Sequence, residues 1–155
     1  MRFSFSKSTK QKEENSDKIV LFVCVQNAGR SQMAEGFFRK YAPRGYVTLS
    51  AGTKPSGEIS PLAVEVMKEV GIDISNQKSK EITEEMMRDS EKIVNMGCMD
   101  NSFCPRLFIP HVIDWGIEDP KGKQIEKIRE IRDDIDKRVR QLAAELNEDS
   151  MQANL

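Results

Sequence analysis

Cys24 and Arg30 frame the segment Cys24-Val25-Gln26-Asn27-Ala28-Gly29-Arg30-Ser31, which follows the apolar run Ile19 to Val23 and precedes a helical pattern. A short loop at a strand-to-helix turn lets successive backbone N–H groups curl around a tetrahedral oxyanion, and the helix that follows adds its positive N-terminal end. Arg30 closes the ring with a two-pronged fork that matches two anion oxygens. Cys24 opens the loop inside the same positive field, which favours the thiolate, the form that attacks. A cysteine at a strand end is often plain core. A core role does not call for Arg and Ser at fixed offsets, nor for Ala28 and Gly29, whose small size lets a ligand approach the backbone. The chemistry read from this segment is nucleophilic attack by Cys24 on an oxyanion held by residues 24–31.

The elements that must position this loop alternate along the chain. Ile19 to Cys24 reads as a central strand covered on both faces. From Ser31, the residues Met33, Ala34, Phe37, Phe38 and Tyr41 recur at helical spacing until Pro43. Tyr46 to Ala51 gives a second strand ended by Gly52. Ser60-Pro61 then supplies an N-cap and a first-turn proline for a helix whose inner face is Leu62, Ala63, Val66, Met67 and Val70, with Gly71 as its stop. A short helix near Thr83 to Arg88, a third strand at Lys92 to Met96 and a fourth at His111 to Asp114 follow. Ile125, Ile128, Ile131, Ile135, Val139 and Leu142 hold one face of a long closing helix, with a frayed tail expected from Asn147. This alternation predicts a single α/β domain with a parallel sheet and right-handed crossovers, and with ligands at the carboxyl ends of the strands.

The whole chain bounds the partners. Its 155 residues suit one domain spanning residues 18–146. Residues 1–17 are rich in Ser, Lys, Glu and Gln and read as a disordered leader without the apolar stretch of a signal peptide. Lys and Arg number 24 against 25 Asp and Glu, so no basic field argues for nucleic acid or an anionic membrane. No run approaches the ~20 apolar residues of a membrane helix. A soluble, cytoplasmic monomer is expected, and three cysteines in that compartment suit catalysis or redox chemistry better than static disulfides.

Cys-x5-Arg-Ser on a strand-to-helix turn, with Asp119-Pro120 much later, resembles the low-molecular-weight protein tyrosine phosphatase family. Ser31-Gln32-Met33-Ala34-Glu35-Gly36, Ser50-Ala51-Gly52, Gly71-Ile72-Asp73-Ile74-Ser75 and Trp115-Gly116-Ile117-Glu118-Asp119-Pro120 resemble its arsenate reductase branch. The resemblance implies a four-stranded parallel sheet flanked by helices and a loop thiolate that attacks arsenate, with phosphate as a competing anion. It implies no tightly bound cofactor; an external thiol, usually thioredoxin, is the final reductant. It gives Cys24 as nucleophile, Arg30 as oxyanion ligand, Ser31 as support for the thiolate and Asp119 as general acid. A carboxylic acid near the ligand would supply the proton for a departing oxygen. Asp119 could instead cap the closing helix, and Glu118 is the alternative acid. In some relatives the residues matching Asn27 and Glu35 contribute to a potassium site; the plainer readings are a turn residue and a solvated or capping carboxylate.

Reduction of As(V) takes two electrons, so a second thiol must attack Cys24 once it carries arsenic, and a third can take over the disulfide. Cys98 and Cys104 follow the third strand in a polar segment, and the order read here is Cys98 first and Cys104 last. Two small apolar core residues are the plainer reading, and His111 completes no metal-ligand spacing. The chain departs from the best-known thioredoxin-coupled pattern by one fewer residue between these cysteines, and by Gln26 and Gly29 where glycine and cysteine are frequent. A tyrosine phosphatase is the main rival, but Lys121-Gly122-Lys123 stands where such enzymes usually place aromatics. A reductase that hands arsenic to a small cellular thiol, and a noncatalytic oxyanion sensor, are the other rivals.

Overall fold

The computed structural model describes residues 17–97 and 112–153, so the leader up to residue 16, Cys98, Cys104 and His111 lie outside the described residues. An unbroken apolar run needs cover on both faces, and strand β1 (Lys18–Cys24) receives it, with Val20 to Val23 all fully buried. Each such side chain contributes about 1.5–3 kcal/mol by leaving water. The two-residue period of a strand sends Val20, Phe22 and Cys24 into one core layer and Leu21 and Val23 into the other. Helix α1 (Arg30–Tyr41), strand β2 (Tyr46–Gly52), helices α2 (Pro61–Glu69) and α3 (Glu84–Asp89), strands β3 (Ser90–Gly97) and β4 (Val112–Asp114) and helix α4 (Ile125–Ala153) complete the chain.

The four strands form one parallel sheet in the order β2-β1-β3-β4. The expected single α/β domain is therefore the observed one. Because β2 is added on one side of β1 and β3 and β4 on the other, the chain reverses direction at β1, where open α/β sheets bind their ligands beyond the carboxyl ends. Cys24 is the last residue of β1, and its register partners are Gly52 on β2 and Gly97 on β3. A side chain at either glycine would obstruct the loop: a Cβ on Gly52 would lie 2.9 Å from the Asn27 amide nitrogen, and one on Gly97 would run into the Arg30 guanidinium.

Helices α1, α2 and α4 pack together over the Phe22 face, while Met86 and Met87 of α3 cover the Leu21 face with Ile82. Helix α2 starts and stops as its residues dictate. The Ser60 hydroxyl accepts from the Ala63 amide, and Gly71, at φ +82°, lets the Gly71 and Ile72 amides fold back on the Lys68 and Met67 carbonyls. Thr83 caps α3 in the same way through the Met86 amide. The isoleucine stripe of α4 is buried as read, but the helix continues through Asn147 to Ala153 where fraying was expected. Leu146 is the last buried residue of α4; beyond it no glycine or proline interrupts the helix, so burial ends before helicity does. Among the described residues no helix is long and apolar enough to cross a membrane.

Residues Arg30 to Phe38 of α1 are all buried, because the sheet, α4 and the turn after α2 close around them. Gly36 makes that closure possible. A Cβ there would lie 2.8 Å from a methyl of Ile74 and 3.1 Å from one of Ile72. Gly36→Val is expected to lower stability by about 1–3 kcal/mol through overpacking, read as a fall in the urea midpoint; an unchanged midpoint would show that the 72–74 turn yields freely.

Candidate active site

The loop from Cys24 to Ser31 is held from outside by its carbonyls. Those of Cys24, Val25, Gln26 and Ala28 accept from the amides of Thr53, Lys54, Ser56 and Ser60 at 2.8–3.1 Å, and Gln26 also accepts from the Ser79 hydroxyl. With the carbonyls turned outward, the opposite N–H edges of these peptides are left for the interior, which is what an anion cradle requires. Asn27 supplies the bend. It is fully buried and sits at φ +51°, a left-handed conformation that asparagine tolerates better than most side chains.

The Asn27 side chain ties the loop to three elements. Its Nδ2 donates to the Ser31 hydroxyl at 2.8 Å, while its Oδ1 accepts from Gln32 Nε2 at 3.0 Å and from the Lys80 amide at 2.9 Å. With its acceptor side occupied in this way, the Ser31 hydroxyl is free to direct its own proton at Cys24 Sγ, 2.8 Å away. The Asn27 amide is a second donor to that sulfur at 3.3 Å. Cys24 is a free cysteine, 2% exposed, with the Ser31 hydroxyl and the Asn27 amide both at hydrogen-bonding distance from its sulfur.

Arg30 reaches the same mouth from the first residue of α1. Its Nη1 donates to the Ile117 carbonyl at 2.9 Å, and its Nη2 lies 3.9 Å from Asp119 Oδ2. Asp119 is half exposed and its Oδ1 accepts from the Lys121 amide, closing a local turn; it does not cap α4, which begins at Ile125. Pro120 rests on the loop at Gly29, where a Cβ would meet its ring at 3.1 Å. The alternative acid Glu118 is paired with Lys123 and Lys127 and does not line the cavity. That cavity, about 480 Å³, is walled by Cys24, Arg30 and the loop on one side and by Leu62, Ala63, Asp119, Lys121 and Ile128 on the other.

The structure therefore brings Cys24, Val25, Gln26, Ala28, Gly29, Arg30 and Asp119 to one cavity, with Asn27 and Ser31 directly behind it. Sequence reading missed the shell that holds Asn27. Gln32 is fully buried and bridges the Asn27 and Lys78 carbonyls, and Gln77 in turn donates to Gln32. A glutamine beside the apolar Met33 and Ala34 at the start of α1 was the available signal.

Asn27 and Glu35, the residues matched to a potassium site in some relatives, are both met by groups of the chain itself. Asn27 Oδ1 already accepts two N–H groups, and Glu35 is 5% exposed with all its partners supplied by the chain. Its Oε1 accepts the Ser50 hydroxyl at 2.9 Å and lies 3.8 Å from the Lys80 ammonium, and its Oε2 takes the Arg39 guanidinium at 2.9 Å. Glu35, whose plainer reading was a solvated or capping carboxylate, is a buried, paired one, because α1 is covered along this face. Burial holds the Lys80 ammonium below its ordinary value, Glu35 draws it back up, and Arg39 opposes that.

The chain is similar to known proteins along most of its length. The arsenate reductase of Brevibacillus brevis is 38% identical over 128 residues, which cover 81% of this chain and 94% of that protein. A solved arsenate reductase in the phosphate binding state is 36% identical with a TM-score of 0.72, covering 83% of this chain and 98% of its own. The thioredoxin-dependent arsenate reductase of Corynebacterium glutamicum is 37% identical with a TM-score of 0.69, covering 90% of this chain and 64% of that one. The sequence profile of the low molecular weight phosphotyrosine protein phosphatase family matches residues 19–152, and the chain belongs to that family.

Proposed function

We propose that this chain reduces arsenate to arsenite, with Cys24 as nucleophile and Cys98 and Cys104 as a thiol relay recharged by thioredoxin or a similar external dithiol in the cytoplasm. The observation that carries the reading is the register of Cys24 with Gly97: β3 ends beside the nucleophile, and the next residue in the sequence is Cys98. The relatives named as arsenate reductases support it, as does the cavity wall, where none of the described lining residues is aromatic and a phenyl ring would find no platform.

In this mechanism the arsenate oxygens sit in the loop, gripped by backbone N–H groups and by Arg30. The Cys24 thiolate forms an S–As bond as one arsenate oxygen departs with a proton from Asp119. Cys98 then attacks Cys24 Sγ. The S–As bond breaks with its electron pair on arsenic, so As(V) becomes As(III), two thiols become one Cys24–Cys98 disulfide, and arsenite leaves. Cys104 attacks Cys98, freeing Cys24, and the external dithiol reduces the Cys98–Cys104 disulfide. A phosphate ester would need only the first half of this sequence, since water can release a phosphocysteine. The later cysteines therefore separate reductase from phosphatase.

Arsenate-dependent NADPH oxidation with thioredoxin and its reductase is expected from wild type and from none of Cys24→Ser, Cys98→Ser and Cys104→Ser under multiple turnover. A wild type inactive there but able to hydrolyse an aryl phosphate through Cys24 alone would hand the site to the phosphatase reading. Asp119→Asn keeps the shape of the turn without the proton and is expected to slow the first step by about 10²–10⁴-fold while oxyanion binding persists, measured by pre-steady-state kinetics and phosphate competition. Ser31→Ala removes a hydrogen bond to a charged sulfur worth roughly 1.5–3 kcal/mol, so alkylation of Cys24 at neutral pH is expected to slow by about tenfold or more.

A further inference from the structure

Glu35 is a buried acid that the arsenate chemistry does not use. Removing a carboxylate from water costs several kcal/mol unless charge and hydrogen bonds replace its hydration. Here two cationic side chains and one hydroxyl do so, and they come from three different places: Arg39 from the next turn of α1, Ser50 from β2 and Lys80 from the segment between α2 and α3. Arg39 is an exposed i,i+4 partner, whereas Lys80 is two-thirds buried at its side chain. Lys80 also touches the active loop through its backbone. Its backbone N–H donates to Asn27 Oδ1 at 2.9 Å, and its carbonyl accepts from the Gly52 amide at 2.9 Å beside Cys24.

We infer that Lys80 is the resident cation of this site: its ammonium takes the place against Glu35 that a monovalent metal ion would need, and so pins the backbone that orients Asn27. Asn27 in turn orients the Ser31 hydroxyl toward Cys24. Lys80 is thus a positioning residue, acting through Asn27 and Ser31 without touching the oxyanion. A metal ion here would face the Lys80 and Arg39 charges at close range and find the Asn27 oxygen already accepting two N–H groups. The enzyme therefore needs no potassium.

The test uses full-length protein at one ionic strength in KCl, NaCl or choline chloride, reading the melting temperature and the rate of Cys24 alkylation by iodoacetamide, followed by peptide mass spectrometry at neutral pH. Wild type is expected to behave alike in all three salts. Lys80→Met, which keeps an unbranched side chain one atom shorter and removes its charge, is expected to slow Cys24 alkylation several-fold, and Lys80→Arg to retain the wild-type rate. A potassium-specific rise in either wild-type readout overturns the inference without any variant. So does a Lys80→Met protein that reacts as fast as wild type, or a Lys80→Arg protein as slow as Lys80→Met. Neither readout involves arsenate, so this inference and the proposed reaction fail separately.

Discussion

A buried asparagine in a left-handed bend carries the site. Asn27 turns the chain inward after Cys24, and its side chain makes three hydrogen bonds to specific partners: Ser31 from Nδ2, Gln32 and the Lys80 amide to Oδ1. The left-handed backbone costs roughly 1–2 kcal/mol for an ordinary side chain, and a buried amide left unpaired would cost about as much again. The hydrogen bonds therefore do more than decorate the loop. They hold a conformation the chain would otherwise leave, and by filling the acceptor side of Ser31 they fix the direction in which its proton points.

The sheet makes that bend usable. Reversal of strand order at β1 leaves the end of Cys24 flanked by two strands, and glycines at both flanking positions give the loop the space to fold over them. Packing sets the other boundary. Helix α1 is buried almost throughout its length, so the loop is attached to a helix that cannot pivot without disrupting the core against α4 and the Ile72–Ile74 turn. The rigidity of the site comes from a part of the core that never touches a ligand.

The strands and helices were legible because each has a local signature: an unbroken apolar run for β1, Ser60-Pro61 and Gly71 around α2, an isoleucine stripe for α4. The proximity of Cys24, Arg30 and Ser31 followed from their spacing on one loop, whereas Asp119, which lines the same cavity, was reached through the family resemblance. The Gln32, Gln77 and Lys80 shell was not legible, since its contacts join residues some 45 to 53 positions apart and leave no periodic trace. The burial of Glu35 was not legible for a related reason: the Ser50 and Lys80 groups that meet its carboxylate come from β2 and from the segment before α3.

The hydrogen bond from Arg30 to the Ile117 carbonyl has a further meaning. One guanidinium nitrogen is committed to the backbone two residues before Asp119 while another points toward the Asp119 carboxylate, so the arginine at the anion cradle is also the strut under the opposite wall. The ordering entropy of that wall is lost when the protein folds and not when a ligand arrives, which leaves more of the binding free energy to hold the anion itself. The same economy ties two properties together in any redesign: Arg30 cannot be exchanged to alter anion preference without loosening the wall that faces it.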